Sequence, residues 1–112
     1  MAAIANLTID QGTTFSSDVT VKDANGQPFD LTGYTAAAKM AKGYASTRTR
    51  SNLNTSIATD AATGVVTLSL TATETTALDA ERYVYHLEIT SSVGAVTRVI
   101  EGLITVRPQV TT

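Results

Sequence analysis

The single histidine of the chain, His86, stands between Tyr85 and Leu87 in the stretch LDAERYVYHLEIT, two residues before Glu88. A histidine beside a carboxylate suggests three kinds of chemistry. Metal binding needs more ligands than His86 and Glu88 supply, because a closed site takes four and the chain has neither a second histidine nor a cysteine. Nucleophilic catalysis would require Ser69, Ser91 or Ser92 within reach of His86, an orienting acid and an oxyanion hole, and no serine lies in a nucleophile-elbow motif. A carboxylate pair flanking a cleft is equally unsupported: the ten acids are scattered over turns and alternating positions, and there is no glycine-rich phosphate loop. The reading is therefore non-enzymatic, with no cofactor and no metal.

Four of the eight basic residues, Lys39, Lys42, Arg48 and Arg50, fall in a twelve-residue window without an acid, together with Tyr44. This concentration has three readings: a solvated loop, a protein interface using arginine and tyrosine anchors, or a nucleic-acid contact. The last is the least favoured, since one aromatic makes a poor stacking platform.

Those residues must be positioned by strands. The recurrent signal is period-two alternation in short runs broken by turn residues. Leu7 and Ile9 alternate first; Phe15, Val19 and Val21 follow, with Asp23-Ala24-Asn25-Gly26 as the exit turn. Tyr34, Ala36, Ala38 and Met40 then alternate against Thr35, Ala37, Lys39 and Ala41; the alanines also suit a helix, but Gly33 and the strand spacing favour β. A polar excursion runs from Gly43 to Asn54, with a fourth strand over 53–59 at its end, and Val66, Leu68 and Leu70 mark a fifth. Thr71-Ala72-Thr73-Glu74 fits a capping box and predicts one helical turn over 72–78. A hairpin closes the chain, from Tyr83 through a turn near Ser92-Val93-Gly94-Ala95 to Val106.

Matching the core faces of the final hairpin pairs Leu87 with Ile100, Tyr85 with Gly102 and Tyr83 with Ile104. A shift by one residue would bury Glu101, which desolvation of a carboxylate opposes. The same register sets His86 opposite Glu101, Glu88 opposite Val99 and Val84 opposite Leu103, and gives Gly102 the task of making room for the Tyr85 ring. Cross-strand pairing is then sufficient reason for His86 to be where it is. Val84, Val99 and Leu103 form a small apolar patch on the outer face, either covered by another segment or a neighbouring chain, or simply isolated surface hydrophobics.

Length and composition agree with one domain spanning residues 1–112. The chain has a mass of 11.7 kDa, 43% apolar and 16% charged residues, and a net charge of -2. No segment has the apolar length of a membrane span, and the N-terminus does not read as a secretory signal. About seven antiparallel strands with one helical turn and no βαβ alternation predict an all-β sandwich.

LDAERYVY, residues 78–85, resembles the approach into strand F of immunoglobulin-like domains. The resemblance makes Tyr83 the corner tyrosine, its hydroxyl tied to upstream backbone, and puts Tyr85 where antibody domains carry a cysteine. Over nearly the whole chain, the succession TIDQGTTFSSDVTVKDANGQPFDLTGYTAAAKM, GVVTLSLTATETTAL and ERYVYHLEITSSVGAVTRVIEGLITVRPQV is similar to small immunoglobulin-like virion proteins of tailed bacteriophages, notably cyanobacterial myophages, and to the N-terminal module of phage baseplate upper proteins. The resemblance implies a virion location and a structural role, in tail or baseplate assembly or in capsid decoration. It implies other virion proteins as partners, in a symmetric homo- or hetero-oligomeric assembly. The rival is a recognition module for a host-surface glycan or protein. Expected contacts are Lys39, Lys42, Tyr44, Arg48 and Arg50 in the basic window, and Val84, Val99 and Leu103 on the outer face.

Overall fold

The structure, a computed structural model, describes residues 3–43 and 50–110. Every run read as alternating contains a strand, although the fourth covers Ser51–Ile57 and not the expected 53–59. The strands are β1 (Ala3–Ile4), β2 (Leu7–Asp10), β3 (Phe15–Thr20), β4 (Thr35–Ala41), β5 (Ser51–Ile57), β6 (Val65–Leu70), β7 (Arg82–Thr90) and β8 (Val96–Arg107). A 3-10 turn (Ala61–Thr63) precedes β6, and a five-residue helix α1 (Ala72–Thr76) links β6 to β7. The protein is all-β, its strands hydrogen-bonded in the order β1-β8-β7-β4-β5-β6-β3, with β2 also on β8.

One strand makes the sheet curl. The first half of β5 pairs with β4, Leu53 opposite Ala38, while its second half pairs with β6, Ile57 opposite Val66. The inward residues of both arms therefore meet in one core that includes Ile9, Phe15, Val19, Met40, Leu68, Tyr85, Leu87 and Ile104. Each such aliphatic side chain contributes about 1.5–3 kcal/mol by leaving water. The alanine-rich stretch is strand, as its Gly33 boundary favoured, and Ala38 is buried between its register partners Leu53 and Leu87.

Two expectations about the strands need correction. The sheet is not wholly antiparallel, because β1 and β2 run parallel to β8, Leu7 opposite Ile104 and Ile9 opposite Val106. Alternation is blind to strand direction, and no turn joins these distant segments to reveal it. Among the described residues there are eight strands; the extra one, β1, is exposed on both residues and shows no alternation.

The final hairpin holds the expected register from Tyr83–Ile104 to Leu87–Ile100, and then shifts. A bulge leaves Val99 without a partner, so Glu88 faces Arg98 and not Val99. An extra residue lets two consecutive apolar side chains lean inward, and Val99 packs half-buried against the core beside Ile100.

Gly102 serves a different neighbour from the one expected. A β-carbon there would lie 2.3 Å from the carbonyl oxygen of Ala5, so the glycine admits the backbone between β1 and β2 and not the Tyr85 ring. The Tyr85 hydroxyl donates to that same carbonyl at 2.5 Å, and the Ala5 amide donates to the Glu101 carbonyl at 2.9 Å.

The capping box forms as read: Glu74 N–H donates to Thr71 Oγ1 at 3.2 Å, and Thr71 N–H donates to Glu74 Oε1 at 2.8 Å. The helix ends at Thr76, short of the expected residue 78. Thr75, fully buried, ties α1 to the turn after β2 by donating to the Thr13 carbonyl at 2.8 Å and accepting from Gly12 N–H at 3.1 Å. Thr75→Val keeps the shape and strands both backbone groups. We predict a loss of about 1–2 kcal/mol in chemical denaturation, and an unchanged midpoint would show that the hydroxyl does not hold this corner.

Candidate functional site

The register places an outer face on β4, β7 and β8 whose side chains fall in rows. Ala41, Val84 and Leu103 form an apolar row; Lys39, His86 and Glu101 form the next; Ala37, Glu88 and Arg98 form the third. A groove of about 340 Å³ runs over these rows, with Ala37, Lys39, Arg50, His86, Glu88 and Arg98 among its lining residues. The Arg98 guanidinium reaches Glu101 Oε1 at 3.3 Å, bridging the second and third rows. The face therefore offers an apolar strip beside cationic donors and carboxylate acceptors.

His86 sits half-buried between Lys39 and Glu101 across the ladder. Among the described residues no group of three or more His, Cys, Asp or Glu side chains is arranged to hold a metal ion. Ser69 lies on β6, opposite Ser16 and Asn54 and in the other arm of the sheet. Ser91 Oγ accepts from Ala95 N–H at 3.1 Å inside the hairpin turn. No helix among the described residues is long and apolar enough to cross a membrane.

The expected contact residues separate into groups. Lys39, Val84 and Leu103 share the outer face, with Arg50 at the edge of its groove. Leu103 is 37% exposed, while its amide is held by Asn6 Oδ1 at 3.0 Å. Arg50 also donates to the Gly43 carbonyl at 3.1 Å, joining the two residues that flank 44–49. Tyr44 and Arg48 lie outside the described residues. Lys42 is turned to its own chain, its ammonium 2.5 Å from Asp79 and 2.6 Å from Glu81, and these two carboxylates hold its pKa well above the usual lysine value. Val99 does not belong to the outer row, since the bulge turns it against the core.

The Lys42 cluster stands on the turn that Tyr83 fixes. The Tyr83 hydroxyl donates to the Asp79 carbonyl and accepts from the Asp79 amide, both at 3.1 Å. Burial is the main cause that raises its pKa. Sequence reasoning missed Ala37, Glu88 and Arg98 as groove residues. The parity of Ala37, Lys39 and Ala41 was a usable signal, but placing it over His86 and Glu88 requires the β4–β7 pairing, which joins segments nearly fifty residues apart. Arg98 reaches the groove only through the bulge.

No protein-family model matches the chain, and a search of curated proteins finds no significant match.

Proposed function

We propose that this chain is an immunoglobulin-like β-sandwich and a non-enzymatic structural protein of a tailed-phage virion, acting as an assembly module of tail or baseplate or as a capsid decoration. The change of partner within β5 supports the sandwich reading, as does the Tyr83 hydroxyl bound to the backbone four residues upstream. The observation that carries the functional reading is the outer face, where the apolar row Ala41-Val84-Leu103 adjoins Lys39, Glu101 and Arg98. An apolar strip bordered by charges is the chemistry of a protein contact, in which the strip gives burial and the charges set orientation.

The test is incorporation. Particles assembled with the double substitution Val84→Glu and Leu103→Glu should lose this chain from the purified virion, while the isolated variant keeps its β-type circular dichroism. Incorporation at the wild-type level would contradict the reading.

The groove favours a second reading, recognition of a host-surface glycan or protein, because it sets Lys39, Glu88 and Arg98 as donors and acceptors around a space of about 340 Å³. Its described lining includes no phenylalanine, tyrosine or tryptophan ring on which a sugar face would stack, His86 being its one aromatic side chain. Saturable binding on a glycan array, lost on Lys39→Ala, would establish that reading.

A further inference from the structure

The sheet has an open end at β3. This strand pairs with β6 through six consecutive partners without a register shift, and no strand lies along its other side among the described residues. Val21 N–H donates to the Gly64 carbonyl at 2.7 Å, which fixes the phase of the ladder. Narrow pairs therefore fall on Phe15, Ser17 and Val19, and the amides and carbonyls of Ser16, Asp18 and Thr20 point away from β6. A groove of about 340 Å³ runs along the N-terminal half of this edge, lined in part by Thr14, Phe15 and Ser17 and by Leu7 and Asp10 of β2.

Exposed edges are ordinarily guarded by lysine, proline or a bulge. The sequence FSSDVT has none of these. Its one charge, Asp18, is drawn across the strand by the Thr67 hydroxyl, which donates to Oδ1 at 2.6 Å.

We propose that β3 pairs antiparallel with β3 of a second copy of this chain about a two-fold axis through Ser17. The phase of the ladder requires outward-pointing residues to meet, and of the registers that satisfy this, those centred on Ser17 and on Asp18 overlap the six residues of β3 most fully. Centring on Asp18 sets the two carboxylates directly opposite each other, a like-charge pair that strands disfavour. Centring on Ser17 sets Ser16 opposite Asp18 of the second copy, twice, a hydroxyl donor against a carboxylate acceptor. It also sets Phe15 opposite Val19 and Thr14 opposite Thr20 of the second copy. Each chain thus supplies what the other needs, as an isologous contact demands. This contact is independent of the virion role and lies on the opposite end of the sheet order from the β8 face.

Sedimentation equilibrium of the full chain from micromolar to millimolar concentration tests it, together with two substitutions at the exposed Ser16. Wild type should form a reversible dimer. Ser16→Asp faces Asp18 of the second copy at two places and should weaken self-association by on the order of ten-fold, whereas Ser16→Lys should strengthen it several-fold. Unchanged circular dichroism and melting midpoints would place both effects at the contact. A strict monomer up to millimolar concentration would overturn the proposal, and so would open-ended polymers or a dimer indifferent to both substitutions.

Discussion

Replacing Gly102 by alanine is expected to destabilise the protein by about 3–5 kcal/mol, a large loss for a single methyl group. The added carbon would fall 2.3 Å from the Ala5 carbonyl oxygen, 2.9 Å from its carbonyl carbon and 3.0 Å from Asn6 Oδ1. Two of these three atoms are backbone and cannot rotate away, so the segment joining β1 and β2 must lift from β8. Lifting it costs more than overpacking alone. The buried Tyr85 hydroxyl loses its acceptor at Ala5, and the Leu103 amide loses Asn6 Oδ1. Denaturant unfolding of wild type, Gly102→Ala, Tyr85→Phe and the double variant should show strong non-additivity. Both single changes break the same Tyr85–Ala5 link, so the double variant should cost clearly less than the sum. Additive losses would mean that glycine and tyrosine act separately.

The same tyrosine should make the protein sensitive to alkali. Burial pushes the Tyr85 phenol up to about 12 from an ordinary 10.0. A raised pKa in the folded state means that the unfolded chain gives up this proton first. The contribution of Tyr85 is therefore fully present below pH 10 and is lost as pH rises from 10 towards 12. The full shift corresponds to a few kcal/mol as an order of magnitude. Lys42 also contributes a loss at high pH, but its exposed ion pairs are screened and are common to both proteins compared. Urea midpoints between pH 9 and 12 should fall more steeply for wild type than for Tyr85→Phe. Parallel curves would show that the phenol ionises freely in the native state.

These two expectations rest on residues whose partners were only half legible in the sequence. The pairing of Tyr85 with Gly102 followed from keeping Glu101 out of the core, and the structure has that pairing. What lies above the pair is the backbone of Ala5 and the side chain of Asn6, roughly a hundred residues away along the chain from Gly102, and a glycine in a strand says that something approaches without saying what. Local chemistry was readable wherever it was self-contained. The Thr71–Glu74 capping box and the Phe15-Val19-Val21 face each depend on neighbours within a few residues, whereas the Tyr83 tie to upstream backbone came from the immunoglobulin resemblance, and only the structure gives Asp79 as its partner. The parallel seating of β1 and β2 on β8 depends on chain direction, which period two does not encode. The bulge at Val99 depends on competition between two adjacent apolar residues for one inward position, so Arg98 and Glu88 went unrecognised as neighbours. Of the candidate surface, Lys39 was legible from the basic window and Val84 and Leu103 from the hairpin register; the pairing of Lys42 was not, because its basic window contains no acid and its partners Asp79 and Glu81 arrive from the far side of α1.

The central claim is that this molecule acts through the shape and charge of the face built by β4, β7 and β8, in contact with a neighbouring virion protein. A reconstruction of an assembled particle carrying this chain, by electron cryo-microscopy at side-chain detail, tests it most directly. The account predicts copies of the domain at symmetry-related positions with Lys39, Val84 and Leu103 buried against another chain. Particles lacking the chain, or holding it with that face turned to solvent, would contradict it.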